Sequence, residues 1–170
     1  MKLLIASLFF PLLLSVSPAH AGEAQQSILA ASNVVSSCFL SNVRDISFGN
    51  YDPVGANATT PITARNGASR VTCTAGTTAF IQVDQGQHAE ADSTCDAPHR
   101  NMINTKGDKL SYELKQNNNT TLYGCSTSTQ VKFTSSGSAP FGIGAYGTLP
   151  AGQNAPVGTY ADTVTFRVLF

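Results

Sequence analysis

Gly158-Thr159-Tyr160-Ala161-Asp162-Thr163-Val164-Thr165-Phe166-Arg167-Val168-Leu169-Phe170 alternates in the manner of a strand. Successive side chains of a strand point to opposite faces. Tyr160, Asp162, Val164, Phe166, Val168 and Phe170 therefore share one face, and Thr159, Ala161, Thr163, Thr165, Arg167 and Leu169 share the other. The segment 158–170 reads as the longest and most regular strand of the chain. An immunoglobulin-like sandwich normally has a further strand beside this one. None follows Phe170 in this sequence, so the expectation is an apolar edge left open, and an open edge invites pairing with another chain.

Short extended runs separated by turn residues precede it. Residues 28–40 read as extended, 46–49 as a short strand, and 69–74 and 79–84 as alternating strands, the latter with Phe80 or Ile81 on the core face. Further strands are expected over 110–114, 121–123, 130–134 and 141–149. Between them, residues 85–109 are polar and read as a long loop or short hairpin stapled by Cys95. No stretch after the N-terminal segment sustains the 3.6-residue apolar period of a helix. The expected fold class is all-β, an antiparallel two-sheet sandwich in one domain.

Composition excludes several functions. The formal net charge is zero and only 12% of residues are charged. Phosphate contacts need clustered Lys and Arg, so no nucleic acid is expected as partner. A hydrophobic content of 42% is too high for a disordered polymer. At the N-terminus, Lys2 precedes an apolar run over residues 3–16, and Ala19-His20-Ala21 supplies a signal-peptidase pattern. That run is about 14 residues, short of the roughly 20 that span a bilayer. Residues 1–21 are therefore expected to be a signal peptide.

Four cysteines follow: Cys38, Cys73, Cys95 and Cys125. In an exported chain they imply two disulfides, with three pairings open. The order of the elements favours Cys38–Cys73 and Cys95–Cys125, because other pairings tie the first strand to the polar middle of the chain. A zinc site lacks a C-x-x-C pair, and His88 and His99 are the only histidines left after cleavage. Those two, with Glu90, Asp92 and Asp96, read as a solvated loop, so no metal is expected. Gly142-Ile143-Gly144-Ala145-Tyr146-Gly147 fits a dinucleotide-binding pattern, but Pro150 and Gly152 preclude the helix it needs, so no cofactor is expected. No G-x-S-x-G or S-x-x-K motif is present, and no enzyme is expected.

Several stretches converge on one family. Val34-Val35-Ser36-Ser37-Cys38, Ile46-Ser47-Phe48-Gly49-Asn50-Tyr51-Asp52-Pro53, Val71-Thr72-Cys73 and the run from Tyr146 through Gly158-Thr159-Tyr160-Ala161-Asp162-Thr163-Val164 resemble the spore coat protein U-like domain. That family supplies subunits of archaic chaperone–usher pili on Gram-negative surfaces. The resemblance implies an incomplete immunoglobulin-like sandwich lacking its last strand, assembled by donor-strand exchange. Residues 22–33 would then be a donor-strand extension and 34–170 the pilin domain.

The same resemblance implies a periplasmic chaperone, an outer-membrane usher and identical or related pilin subunits as partners. It implies transit through the periplasm to a cell-surface pilus that supports adhesion and biofilm formation. It favours the face of the extension carrying Ile28 and Ala30 as the one entering the groove. The face carrying Leu29 and Ala31 stays open as the other parity. Val164, Phe166, Val168 and Phe170 form the expected chaperone and acceptor edge. The alternative function is a single-domain surface- or sugar-binding adhesin subunit of the same fibre.

Overall fold

The computed structural model describes residues 22–66 and 69–170. The expected signal peptide, residues 1–21, lies outside the described residues. The chain divides into two units, Met1–Asn33 and Val34–Phe170. Within the first, residues 22–33 form no strand and are exposed.

The second unit is all-β. Its strands are β1 (Cys38–Ser41), β2 (Ile62–Asn66), β3 (Arg70–Cys73), β4 (Thr78–Val83), β5 (Arg100–Ile103), β6 (Lys109–Lys115), β7 (Val131–Thr134), β8 (Phe141–Gly142), β9 (Ala145–Leu149) and β10 (Phe166–Leu169). They pair antiparallel in three open sheets, ordered β1-β3-β8, β10-β4-β7 and β2-β9-β6-β5. This is the open antiparallel arrangement of an incomplete immunoglobulin-like fold without a closing strand.

Burial follows position in the sheets. The strands with neighbours on both sides bury alternate residues: Val71 and Cys73 on β3, Ala79, Ile81 and Val83 on β4, Leu110, Tyr112 and Leu114 on β6, Ala145 and Leu149 on β9. With Tyr123 and Ile143 they form one cluster. Each large side chain in it contributes roughly 1.5–3 kcal/mol. Side chains on edge strands, such as Leu40, Val131, Phe166 and Val168, pack against this cluster but are only half-buried. On β4 the core position is Ile81, with Phe80 half-buried.

The structure departs from the sequence reading at several points. Regular pairing in the final segment is confined to β10, and β6, at seven residues, is the longest strand. Residues 159–165 keep the alternation of half-buried and exposed side chains. Their neighbour β4 ends at Val83, so their hydrogen bonds pass to Asp84, Gln87 and Ile103 in turn rather than to one ladder. Among the described residues, 46–49 pair with nothing and form no strand, and 121–123 are reduced to a bridge between Lys115 and Leu122. Of the stretch 28–40 only Cys38, Phe39 and Leu40 are strand, as the first three residues of β1.

The stretch 141–149 breaks at Ile143 and Gly144 because its halves serve different sheets, β8 beside β3 and β9 between β2 and β6. One strand is additional to the sequence reading: β2, which carries one large aliphatic residue, Ile62. Of the two readings of 85–109, loop or short hairpin, the structure forms the hairpin at its end, with β5 paired antiparallel to β6.

Candidate functional site

β1 and β10 each have one neighbour, β3 and β4 respectively, so each leaves an edge free among the described residues. Hydrogen-bond parity shows which groups lie on the free side. Ala161 exchanges both main-chain bonds with Ile103, at 3.0 and 3.1 Å, and the carbonyls of Thr163 and Thr165 accept from Gln87 and Asp84 at 3.1 Å. Main-chain groups of successive residues in an extended chain point to opposite sides. The N–H and C=O of Tyr160, Asp162 and Val164 therefore face away from these partners. The same alternation carried through β10 does this for Phe166 and Val168. These are also the residues whose side chains are half-buried against the core. The edge thus combines unpaired main-chain groups with a row of inward apolar side chains.

β1 has the same parity. Thr74 N–H donates to the Ser37 carbonyl at 2.9 Å, so Cys38 and Leu40 turn their main-chain groups outward while their side chains lean inward. Cys38 and Cys73 face each other across the β1–β3 pair and are joined by a disulfide, with Cα atoms 4.1 Å apart. That separation suits the close, non-hydrogen-bonded type of antiparallel pair, spaced at about 4.5 Å. The bond staples an edge strand of four residues to a buried one. Cys95 and Cys125 form the second disulfide, joining two loops, and Thr129 Oγ1 donates to the Cys95 carbonyl at 2.8 Å.

Beyond β1 the chain forms a wall over residues 46–53, of which 46–49 is the segment that reads as a strand in the sequence. Ile46, Phe48 and Tyr51 are half-buried, and residues 46–51 make no main-chain to main-chain hydrogen bond among the described residues. Tyr51 anchors the wall, its hydroxyl donating to the Pro150 carbonyl and accepting from Gln153 N–H, both at 2.9 Å. Gly147 lets Phe48 lie against β9, since a Cβ there would stand 2.6 Å from the Phe48 ring. Between residues 46–53 and 155–160 lies a cleft of about 690 Å³, with Met102, Leu110 and Leu149 also lining it.

One polar cluster sits under the free edge. The Asp162 side chain is 1% exposed. It accepts from the Tyr112 hydroxyl at 2.6 Å, from Gln87 N–H at 3.1 Å, and bonds His88 Nδ1 at 2.8 Å. Gly86 has φ +82°, and a Cβ there would meet Asp162 Oδ2 at 2.2 Å. Burial, then the bond to Asp162, pushes the Tyr112 hydroxyl far above the ordinary tyrosine range. Arg100, also buried, donates from Nε to the Asp84 carbonyl at 3.1 Å and from Nη2 to the Tyr123 carbonyl at 2.7 Å. Its burial lowers the guanidinium pKa. His88 is thus tied to a buried carboxylate rather than lying in a solvated loop, whereas His99, bonded to Asp92 at 3.0 Å, is exposed.

The expected edge residues Val164, Phe166 and Val168 lie together on the free side of the final segment, while Phe170 is exposed. Ile28, Leu29, Ala30 and Ala31 are exposed in the first unit. The wall at 46–53 and the cluster around Asp162 escaped the sequence reading. The signal for the second was one carboxylate in an otherwise uncharged inward face.

A family model described as Spore Coat Protein U domain matches residues 24–167. Protein U of Myxococcus xanthus is 35% identical over 164 residues, covering 93% of this chain and 91% of that protein. Among solved structures, a chain of the CsuC–CsuE chaperone–tip adhesion subunit pre-assembly complex, from archaic chaperone–usher Csu pili of Acinetobacter baumannii, aligns with a TM-score of 0.52 at 21% identity. The alignment covers 81% of this chain and 40% of that one, and the likeness is one of fold.

Proposed function

The chain belongs to the Spore Coat Protein U domain family, and from that premise we propose that it is a structural subunit of a surface pilus whose subunits are joined by strand addition. The observation that carries the reading is the free edge over residues 160–168, where unpaired main-chain groups run above half-buried Tyr160, Val164, Phe166 and Val168 beside an open cleft. Such an edge is what an extended peptide adds to: its main-chain ladder gives affinity and its alternate side chains give selectivity. An edge of this kind left bare is also an aggregation hazard, which makes a covering partner necessary in transit.

Under this reading a periplasmic chaperone covers the edge first. At an outer-membrane usher, residues 22–33 of the next subunit then replace it, and the fibre emerges at the cell surface to support adhesion and biofilm formation. Ordering each residue of the donor costs about 1–2 kcal/mol, comparable with what its main-chain bonds return at roughly 1 kcal/mol each. The apolar side chains therefore decide the outcome, and Ile28 with Ala30, or Leu29 with Ala31, are the anchors available. Deleting residues 23–33 tests the proposal. The shortened subunit keeps both disulfides and every strand, should still associate with a chaperone, and should add no further subunit, which removes the heat-sensitive ladder on gels. Fibres formed by the shortened subunit would refute it.

A further inference from the structure

We propose that Asp162 is the positioning residue of the acceptor edge: its buried carboxylate, held by Tyr112, His88 and the Gln87 amide, keeps residues 160–165 extended and their main-chain groups aligned before any strand is added. The capture arm of the test rests on the strand-acceptor reading above; the exchange arm does not.

The need for such a device follows from the ladder. β10 is locked to β4 only over Phe166–Leu169, and residues 158–165 run on beyond the end of β4. There they hold to two segments, residues 84–87 and β5, through four main-chain bonds, at Ala161, Thr163 and Thr165. An edge so sparsely paired is expected to fray, yet its alternation persists to Tyr160. Asp162 stands at the centre of this stretch. Through it the edge is tied to β6 by Tyr112 and to the 86–88 turn by Gln87 and His88.

The surroundings are fitted to the carboxylate. Gly86 leaves no room for a side chain beside Asp162 Oδ2. Asp84 Oδ1 receives the Thr165 N–H at 2.9 Å and the Gly86 N–H at 3.1 Å, fixing the next turn of the same edge. Arg100 spans from β5 to the Asp84 and Tyr123 carbonyls, a buried positive charge near two carboxylates. A buried carboxylate is costly unless bonded, and this one is bonded at both oxygens, Oδ1 by Gln87 N–H and His88 Nδ1 and Oδ2 by the Tyr112 hydroxyl. An apolar residue at 162 would pack against the core as its neighbours do, but it would tie the edge to nothing. The carboxylate thus serves geometry.

Amide hydrogen exchange of the full mature chain provides the test, comparing wild type with Tyr112→Phe and Asp162→Asn. Tyr112→Phe keeps the ring and removes one charge-assisted bond, so it serves if Asp162→Asn does not fold. Exchange in the 158–165 segment should rise about tenfold, the size expected for losing a bond to a charged group, while β3, β4 and β6 stay protected. Capture of a fluorescent peptide of residues 22–33 should slow by a similar factor. Asp162→Glu, whose longer side chain keeps the charge and misplaces it, should recover neither. Unchanged exchange at 158–165, or a rise spread equally over β3 and β4, would overturn the proposal, the latter by making Asp162 a general structural residue. Should wild type capture no peptide, the acceptor reading falls, and the exchange pattern alone supports or overturns the role of Asp162.

Discussion

Replacing Cys38 by serine opens the bond that holds β1 against β3, and Cys95→Ser opens the other. The two bonds close loops of nearly equal length, with sequence separations of 35 and 30. On the chain-entropy model each contributes about 4 kcal/mol by restricting the unfolded chain. Against a total of about 5–15 kcal/mol for a domain, either loss is severe, and for a domain of this size it corresponds to a fall of roughly 8–15 °C in melting temperature. In the folded state the two bonds do different work. Cys38–Cys73 pins a four-residue edge strand, otherwise anchored by half-buried Leu40, that leads directly into the 46–53 wall of the cleft. Cys95–Cys125 joins loops outside every strand. The variants should therefore melt at similar temperatures while only Cys38→Ser loses capture of a peptide of residues 22–33. Thermal melting followed by fluorescence anisotropy on the same samples reads both quantities. Equal capture by the two variants would refute the claim that the staple fixes the acceptor wall, and a melting temperature unchanged by Cys38→Ser would refute the entropy estimate.

Two further outcomes follow from the edge and the core. Phe166→Ser combined with Val168→Ser removes two half-buried apolar side chains while leaving the main-chain edge intact; the double variant should be degraded in the periplasm and recovered without chaperone, and normal recovery in complex would count against this edge. Tyr112 and Tyr123 have hydroxyl pKa values raised chiefly by burial, so their contribution to stability is complete below about pH 10, where unfolded tyrosine ionises, and is lost as pH rises towards their folded values. Absorbance titration should show these two of the chain's five tyrosines ionising only as the fold opens above that range, and ionisation of all five near pH 10 with the fold intact would exclude this.

What the sequence disclosed depended on how far each property is local. Side-chain parity is local, and the reading of Tyr160, Asp162, Val164, Phe166 and Val168 as one shared face holds in the structure even where no ladder forms; that the face turns inward emerges only from the fold. Pairing is not local. Residues 46–49 alternate as a strand does but meet no partner among the described residues, whereas Arg100-Asn101-Met102-Ile103 becomes a strand because β6 lies beside it. The disulfides were legible because element order left one economical pairing, and the cleft was not, because its wall at 46–53 and its lining residues Met102, Leu110 and Leu149 come from distant parts of the chain. Burial of Arg100 was equally hidden, since its acceptors are main-chain carbonyls of Asp84 and Tyr123 that no side-chain pattern announces.

The central claim is that the edge at 160–168 lacks one strand and that residues 22–33 can supply it. Appending a second copy of residues 22–33 after Phe170 through a flexible linker tests this within a single molecule. Size-exclusion chromatography with thermal melting should give a monomer that melts well above the unmodified subunit, with amides of Tyr160, Asp162, Val164, Phe166 and Val168 newly protected from exchange. An appended chain that melts with the unmodified subunit, polymerises as before and leaves those amides exchanging would contradict the account.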